Sequence, residues 1–403
     1  MIKRVDYLNS LEKWRDEKVI KIVTGMRRCG KSTLLLQFQN RLVETGIETT
    51  QIISLNFEKL EYEDLQDYKK LYSYLKNRLI SDKKNYIFLD EVQRVKHFEK
   101  VVDSLYVMDN VDIYITGSNS QMLSSELATF LSGRYVEIKM LPLSFKEFFS
   151  ICDLSIDDSF VEYMRYGGLP YVTTMEKDSD KVEMYLEGIY NTVLVKDIED
   201  RQNRKNLGMR AITDISLLKS ISKYLSSVVG NMVTVKSITN YLVSGGRKVS
   251  PNTVSDYIEA LCDSFIFYEV DRFDIVGKEL LKNNKKYYIV DLGLRNYILP
   301  RKNYDLGFGL ENIVYFELLR RGYRVNVGKL KDKEIDFVTR KNDELHYIQV
   351  TASMVDESTF EREMRPLREI RDNYEKTVLT LDRFSVGNYE GIKVVNIVDW
   401  LLE

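Results

Sequence analysis

Gly25-Met26-Arg27-Arg28-Cys29-Gly30-Lys31-Ser32-Thr33 is the stretch that decides how this chain is read. Glycine, four residues, then Gly-Lys-Ser is the spacing of a phosphate-cradling loop, and it counts only between a strand and a helix. Both are expected. Val19-Ile20-Lys21-Ile22-Val23-Thr24 reads as a buried strand, and Leu34-Leu35-Leu36-Gln37-Phe38 reads as a helix. The glycines let successive N–H groups turn toward one anion, and the helix adds its N-terminal N–H groups and dipole. Lys31 would place a charge at the β/γ-phosphates and the Ser32 hydroxyl would reach Mg²⁺. Gly25, Arg28, Cys29, Gly30, Lys31, Ser32 and Thr33 are thus the expected nucleotide contacts, with ATP and Mg²⁺ as ligands.

Moving outward, Tyr86-Ile87-Phe88-Leu89-Asp90-Glu91 is an apolar run ending in two acids. It reads as a buried parallel strand with carboxylates at its C-terminal edge, where ligands sit in open α/β sheets. Asp90 is expected to hold Mg²⁺, directly or through water, together with Ser32. Glu91 is expected to orient and deprotonate the attacking water. Asp112 to Ser120 forms a further strand ending in small polar residues, and Ser118 and Asn119 are candidates to touch the γ-phosphate or its water. Helices are expected over 8–17, from the loop to about 45, over 64–80 and over 96–108, with another strand at 51–57.

The whole chain sets bounds. Its 403 residues are 44% hydrophobic and 30% charged, with a formal charge of −2 and 5 prolines, which describes a globular protein of several domains without a basic tail. Any nucleic-acid surface must therefore be local. Three distant cysteines, Cys29, Cys152 and Cys262, suggest neither a disulfide frame nor a zinc spacing, so a cytoplasmic setting is expected. No apolar run approaches the roughly 18 residues of a membrane span, so no membrane partner is expected.

The order of strand and phosphate loop, Leu-Asp-Glu strand and Thr-Gly-Ser strand resembles the AAA+ branch of P-loop ATPases. More closely, the chain resembles a bacterial and archaeal family of AAA+-like ATPases with a C-terminal domain of unknown function. The residues carrying this are Gly25 to Thr33, Tyr86 to Glu91, Ile115 to Gln121, Leu131 to Tyr135, Pro142 to Phe148 and Tyr166 to Pro170. The resemblance implies an arginine that stabilises transition-state charge, often across a subunit interface, and Arg134 is the candidate. A structural salt bridge is the competing reading. A homo-oligomer is left open, and no second sensor arginine is evident in the lid.

The expected domains are an ATPase core at 1–143, a helical lid at 144–205, a winged-helix-like module at 206–300 and a nuclease-like domain at 301–403. The fold class is thus α/β: an AAA+-like P-loop NTPase sheet, then lid, winged helix and a restriction-endonuclease-like α/β domain. In the module, the helix over 251–263 takes the recognition position but has no Lys or Arg between Ser250 and Asp263. Only Arg247, Lys248 and a basic hairpin from Lys278 to Lys286 are left to meet phosphates, so DNA contact and protein docking both stay open. The last part resembles PD-(D/E)xK nucleases, in which Asp336 matches the first acid. Gln349-Val350-Thr351 stands where acid-x-lysine belongs, so a non-catalytic domain is expected, the alternative being a weak metal site of Glu311, Glu317 and Asp336. The functional expectation is an ATP-hydrolysing switch or motor. The alternatives are a nucleotide-gated DNA-binding protein with little turnover, or a weak metal-dependent nuclease.

Overall fold

The apolar run ahead of the phosphate loop is a strand, β1 (Ile20–Thr24), buried at every residue. A computed structural model describes residues 2–118, 133–176, 178–203, 212–299 and 306–403. The chain divides into two units. One is Met1–Pro142 with Asp263–Phe265, and the other is Leu143–Cys262 with Ile266–Glu403.

In the first unit, β1, β2 (Ile52–Asn56), β3 (Asn85–Asp90), β4 (Val111–Gly117) and β5 (Tyr135–Lys139) form one sheet in the order β2-β3-β4-β1-β5. Every pairing is parallel. Parallel sheets need both faces covered, which is why the central strands read as unbroken apolar runs. On one face Ile22, Ile87, Leu89 and Ile115 pack with α3 (Tyr68–Lys76) and α4 (Phe98–Tyr106). On the other, Val23, Phe88 and Tyr114 pack with α1 (Val5–Lys13) and α2 (Lys31–Glu44). Phe88 and Tyr114 stack at 4.7 Å between ring centroids. The charged residue inside β1 is satisfied internally, because Lys21 Nζ donates to Asp112 Oδ1 at 2.5 Å.

The helix expected over 64–80 is shorter. Leu60–Gln66 forms a 3-10 turn, and Asp67 then caps α3 by accepting from the N–H groups of Lys69 and Lys70. A side-chain acceptor at that position starts a new helix rather than continuing an old one.

The second unit begins with α5 (Phe145–Phe149), α6 (Ile156–Tyr166), α7 (Pro170–Thr174) and α8 (Ser179–Asn203). It continues with α9 (Ile215–Ser227), α10 (Val235–Ser244) and α11 (Pro251–Asp263), then the hairpin β6 (Phe267–Asp274) and β7 (Glu279–Ile289). After α12 (Leu292–Ile298) and α13 (Leu306–Arg320) come β8 (Arg324–Leu330), β9 (Lys333–Lys341), β10 (Glu344–Thr351), α14 (Glu357–Glu369), β11 (Glu375–Thr380), β12 (Gly387–Tyr389), β13 (Ile392–Asn396) and α15 (Ile397–Leu402). All eight strands join one sheet, β12-β13-β11-β10-β9-β8-β6-β7. The boundary expected at 300 therefore runs through a sheet. β6 pairs in parallel with β8, an arrangement that local sequence pattern does not announce.

The Gly167-Gly168-Leu169-Pro170 stretch is explained by crowding. The Asp291 carboxylate accepts from the N–H groups of Gly168 at 2.7 Å and Leu294 at 3.0 Å. A Cβ on Gly167 would lie 2.2 Å from Asp291 Oδ1, and one on Gly168 would lie 2.4 Å from the Leu143 carbonyl oxygen. Burial pushes the Asp291 carboxyl up to about 6, although the N–H groups of Leu294, Gly168, Gly293 and Leu169 pull the other way.

Candidate functional site

Gly25, with φ 147°, Arg28, with φ 66°, and Gly30, with φ 105°, turn the backbone between β1 and α2. Gly25 has no substitute, since a Cβ there would stand 2.1 Å from the Met140 carbonyl oxygen. Arg4 holds the loop from outside the motif. Its guanidinium is buried and donates to the carbonyls of Cys29 at 3.2 Å and Leu141 at 2.8 Å. Cys29 faces the core beside Val23 and Leu34, so only its backbone belongs to the cradle. Lys31 Nζ donates to the carbonyls of Gly25 at 3.0 Å and Met26 at 3.1 Å, and lies 4.0 Å from Glu91 Oε1. Thr33 is exposed at the first turn of α2.

The acids of β3 sit at the carboxyl edge of the same sheet. Asp90 accepts from Thr116 Oγ1 at 2.5 Å and from Asn56 Nδ2 at 2.7 Å. Burial raises its pKa, while the hydroxyls of Thr116 and Ser32, both hydrogen-bonded to it, pull it down. Thr116 Oγ1 also accepts from the Glu91 N–H at 2.9 Å, so one oxygen fixes both acids. Glu91 has φ 55°, and its Oε2 accepts from Gln93 Nε2 at 2.5 Å and Ser118 Oγ at 3.2 Å. A non-glycine residue held in the left-handed region is maintained only by its surroundings. Ser32 and Asp90 offer two adjacent hard oxygen donors, one a desolvated carboxylate, and that set suits Mg²⁺.

Five of the expected site residues thus bring their side chains together: Lys31, Ser32, Asp90, Glu91 and Ser118. Asn119 lies outside the described residues. Arg134 does not join them within the chain. It precedes Tyr135, which is paired with Ile20 at the start of β1, whereas the phosphate loop follows Thr24 at the other end. The four intervening residues correspond to roughly 13 Å of strand. Arg134 is ion-paired with Asp103 and lies 5.4 Å from the centroid of the Tyr106 ring. Sequence reading missed Arg4, Asn56, Thr116 and Gln93. Asn56 ends β2 and Thr116 stands one residue from the end of β4, both near expected site positions, and they carried a weak signal, whereas Arg4 carried none.

In the second unit the expected metal cluster is otherwise engaged. Lys286 Nζ donates to Glu311 at 2.8 Å and contacts Glu334 at 2.7 Å, and the Tyr288 hydroxyl donates to Glu311 at 2.6 Å. Asp336 accepts from the Val350 N–H at 2.8 Å, and its own N–H donates to Gln349 Oε1 at 2.7 Å. Glu317 pairs with Arg321 at 3.0 Å. Among the described residues no group of three His, Cys, Asp or Glu is placed to hold a metal, which corrects the reading of Glu311, Glu317 and Asp336 as one. Two lysines of the basic hairpin are likewise committed, since Lys285 contacts Glu269 at 2.6 Å and Lys286 is buried, whereas Lys278 is exposed. Arg247 donates to Ser216 Oγ at 2.6 Å and pairs with Asp214 at 3.4 Å.

The family described as "AAA domain" matches residues 17–149, and a "Domain of unknown function (DUF8612)" matches residues 157–305. An uncharacterized protein of Haemophilus influenzae is 42% identical over 409 residues, covering 100% of this chain and 99% of that one. An uncharacterized protein of Methanocaldococcus jannaschii is 30% identical, covering 94% of this chain and 85% of that one. This chain belongs to their family, an AAA+-like one. The AAA domain carries the phosphate loop and both acids of β3, and the match to the domain of unknown function runs from α6 through the hairpin of β6 and β7 to α12. A Walker-type ATPase of Pyrococcus abyssi is similar at a TM-score of 0.46 and 17% identity, covering 74% of this chain and 96% of that one. The fold is that of a P-loop NTPase: a five-stranded parallel sheet with helices on both faces, followed by a unit built on a mixed sheet. Among the described residues no helix is long and apolar enough to cross a membrane.

Proposed function

We propose that the AAA domain binds ATP with Mg²⁺ and hydrolyses it, and that nucleotide state sets the pose of the rest of the chain. The observation that carries this is the convergence of Lys31, Ser32, Asp90 and Glu91 on one turned loop at the carboxyl edge of a parallel sheet. Lys31 now satisfies its ammonium on the carbonyls of Gly25 and Met26. On binding it exchanges them for β/γ-phosphate oxygens. Ser32 and Asp90 would hold the metal, which draws charge from those oxygens. Glu91 receives the proton of the attacking water. For that it releases Gln93, whose amide occupies the carboxylate in this structure. The new bond joins water oxygen to the γ-phosphorus, and the bond to the bridging oxygen breaks and leaves ADP.

Phosphate release and nucleotide binding test this together. The wild type is expected to turn over ATP. Lys31→Ala is expected to bind poorly and not turn over. Glu91→Gln is expected to retain binding and lose turnover by at least about 10²-fold. Wild-type hydrolysis no faster than that of Lys31→Ala would remove the proposal.

A further inference from the structure

Six arginines of the first unit have partners. Arg4 holds carbonyls of the loop and its neighbours, Arg15 pairs with Glu12, Arg41 with Glu12, Arg94 with Glu58 and Arg134 with Asp103, while Arg78 lies 3.5 Å from the Tyr74 ring centroid. The two that remain, Arg27 and Arg28, stand side by side in the phosphate loop, with no partner among the described residues. They differ from each other. Arg28 is exposed to solvent, whereas the Nε of Arg27 is shut away from water with nothing to donate to.

A guanidinium is always charged, and a buried donor without an acceptor is costly. The Nε atoms of Arg165 and Arg272 in the second unit are shut away in the same manner, so what sets Arg27 apart is its place in the phosphate loop. The loop that holds Arg27 also holds Lys31, and the ligand such a loop accepts is an anion.

We infer that Arg27 is a catalytic residue. Its guanidinium binds the γ-phosphoryl oxygens and stabilises the charge that develops on them during hydrolysis, from within the same chain. This rests on the ATPase reading above and goes beyond it, because it names the source of the transition-state cation. Arg134 is separated from its own phosphate loop by the length of β1 and already neutralises Asp103. Arg27 is covalently part of the loop and needs no neighbouring subunit. In the reaction the electron pair of the broken bond moves to the bridging oxygen of ADP and the proton of water moves to Glu91. Arg27 transfers no proton. It donates hydrogen bonds to oxygens whose charge rises along the way.

The test is single-turnover hydrolysis, ATP affinity and affinity for ADP with aluminium fluoride, a mimic of the transferring phosphoryl group. They are measured on the full chain as wild type, Arg27→Ala, Arg27→Lys, Arg134→Ala and Lys31→Ala. Arg27→Ala is expected to slow hydrolysis by about 10²- to 10³-fold and to abolish aluminium fluoride trapping, with ATP affinity changed by less than about tenfold. Arg27→Lys is expected to recover only a small part, because an ammonium lacks the planar fork. Arg134→Ala is expected to hydrolyse ATP within about threefold of the wild type, and the wild-type rate per chain is expected to be independent of protein concentration.

Three results would overturn the inference. One is hydrolysis by Arg27→Ala at the wild-type rate. Another is equal loss of ATP and aluminium fluoride binding in Arg27→Ala, which would make Arg27 a ground-state contact. The third is a rate that rises with protein concentration and vanishes in Arg134→Ala. Should the wild type itself hydrolyse no faster than Lys31→Ala, the ATPase reading falls and takes this inference with it. If Arg27→Ala alone fails to alter the rate, the ATPase reading stands. Thermal melts of each variant identify misfolding, and Arg27→Lys keeps the charge if Arg27→Ala is unstable.

Discussion

Thr116 shows how much one side chain carries at this site. Its oxygen donates to Asp90 and accepts from the backbone of Glu91, so it aligns the expected metal ligand and the expected base at once. Thr116→Val keeps the shape and removes both bonds. It is expected to destabilise the first unit by about 1–3 kcal/mol, read by denaturant melts, and to lower turnover more than ATP affinity. Unchanged turnover would show that Asp90 and Glu91 are placed by the backbone alone. Residues of this kind separate what the sequence discloses from what it hides. Lys31 and Ser32 are legible because the loop is contiguous and its geometry is local. Asp90 and Glu91 are legible because a buried strand ending in two acids is unusual. Arg4 reaches the loop from 25 residues away through a fold that must already be known, and nothing in its neighbours signals that reach.

At the scale of elements, the glycines between α6 and α7 and the start of α12 form one capped junction around Asp291. An unfolded aspartate loses its proton near 3.8, and this one holds it to about 6. Between those values the folded chain binds more protons than the unfolded one, so stability falls as pH rises through that window. The gap corresponds to about 3 kcal/mol. Melts of the second unit from pH 4 to pH 7 are expected to show this decline, and Asp291→Asn is expected to flatten it. The glycine pair was visible in the sequence as punctuation, but its partner lies 123 residues from Gly168 and was not. The sheet of the second unit has the same difficulty. Its hairpins are local and readable, whereas the parallel pairing of β6 with β8 depends on how intervening helices return the chain. Lys286 on β7 illustrates the consequence. It looked like part of a basic hairpin and is instead buried. Its burial lowers the pKa, but Glu311, Asp336 and Glu334 together outweigh that and raise it. Lys286→Ala is expected to destabilise the unit by about 3–5 kcal/mol, because those carboxylates lose their counter-charge.

For the molecule as a whole, nucleotide is expected to stabilise directly only the unit that binds it, whatever it does to the pose of the rest. At about 100 times its dissociation constant a ligand of the folded state adds about 2.7 kcal/mol. Calorimetry with ATP and Mg²⁺ on the Glu91→Gln form, which is expected to bind without turnover, should move the transition of the first unit upward by on the order of 10 °C. The transition of the second unit should stay in place. A shift of both would mean that the units melt together. In the second unit the positive charge among Glu311, Glu334 and Asp336 is built into the polypeptide as Lys286. For this interior to hold a divalent ion, the ammonium of Lys286 would have to go and an acid would have to stand at Gln349. Either change alone leaves unbalanced charge in the interior and a weakened fold.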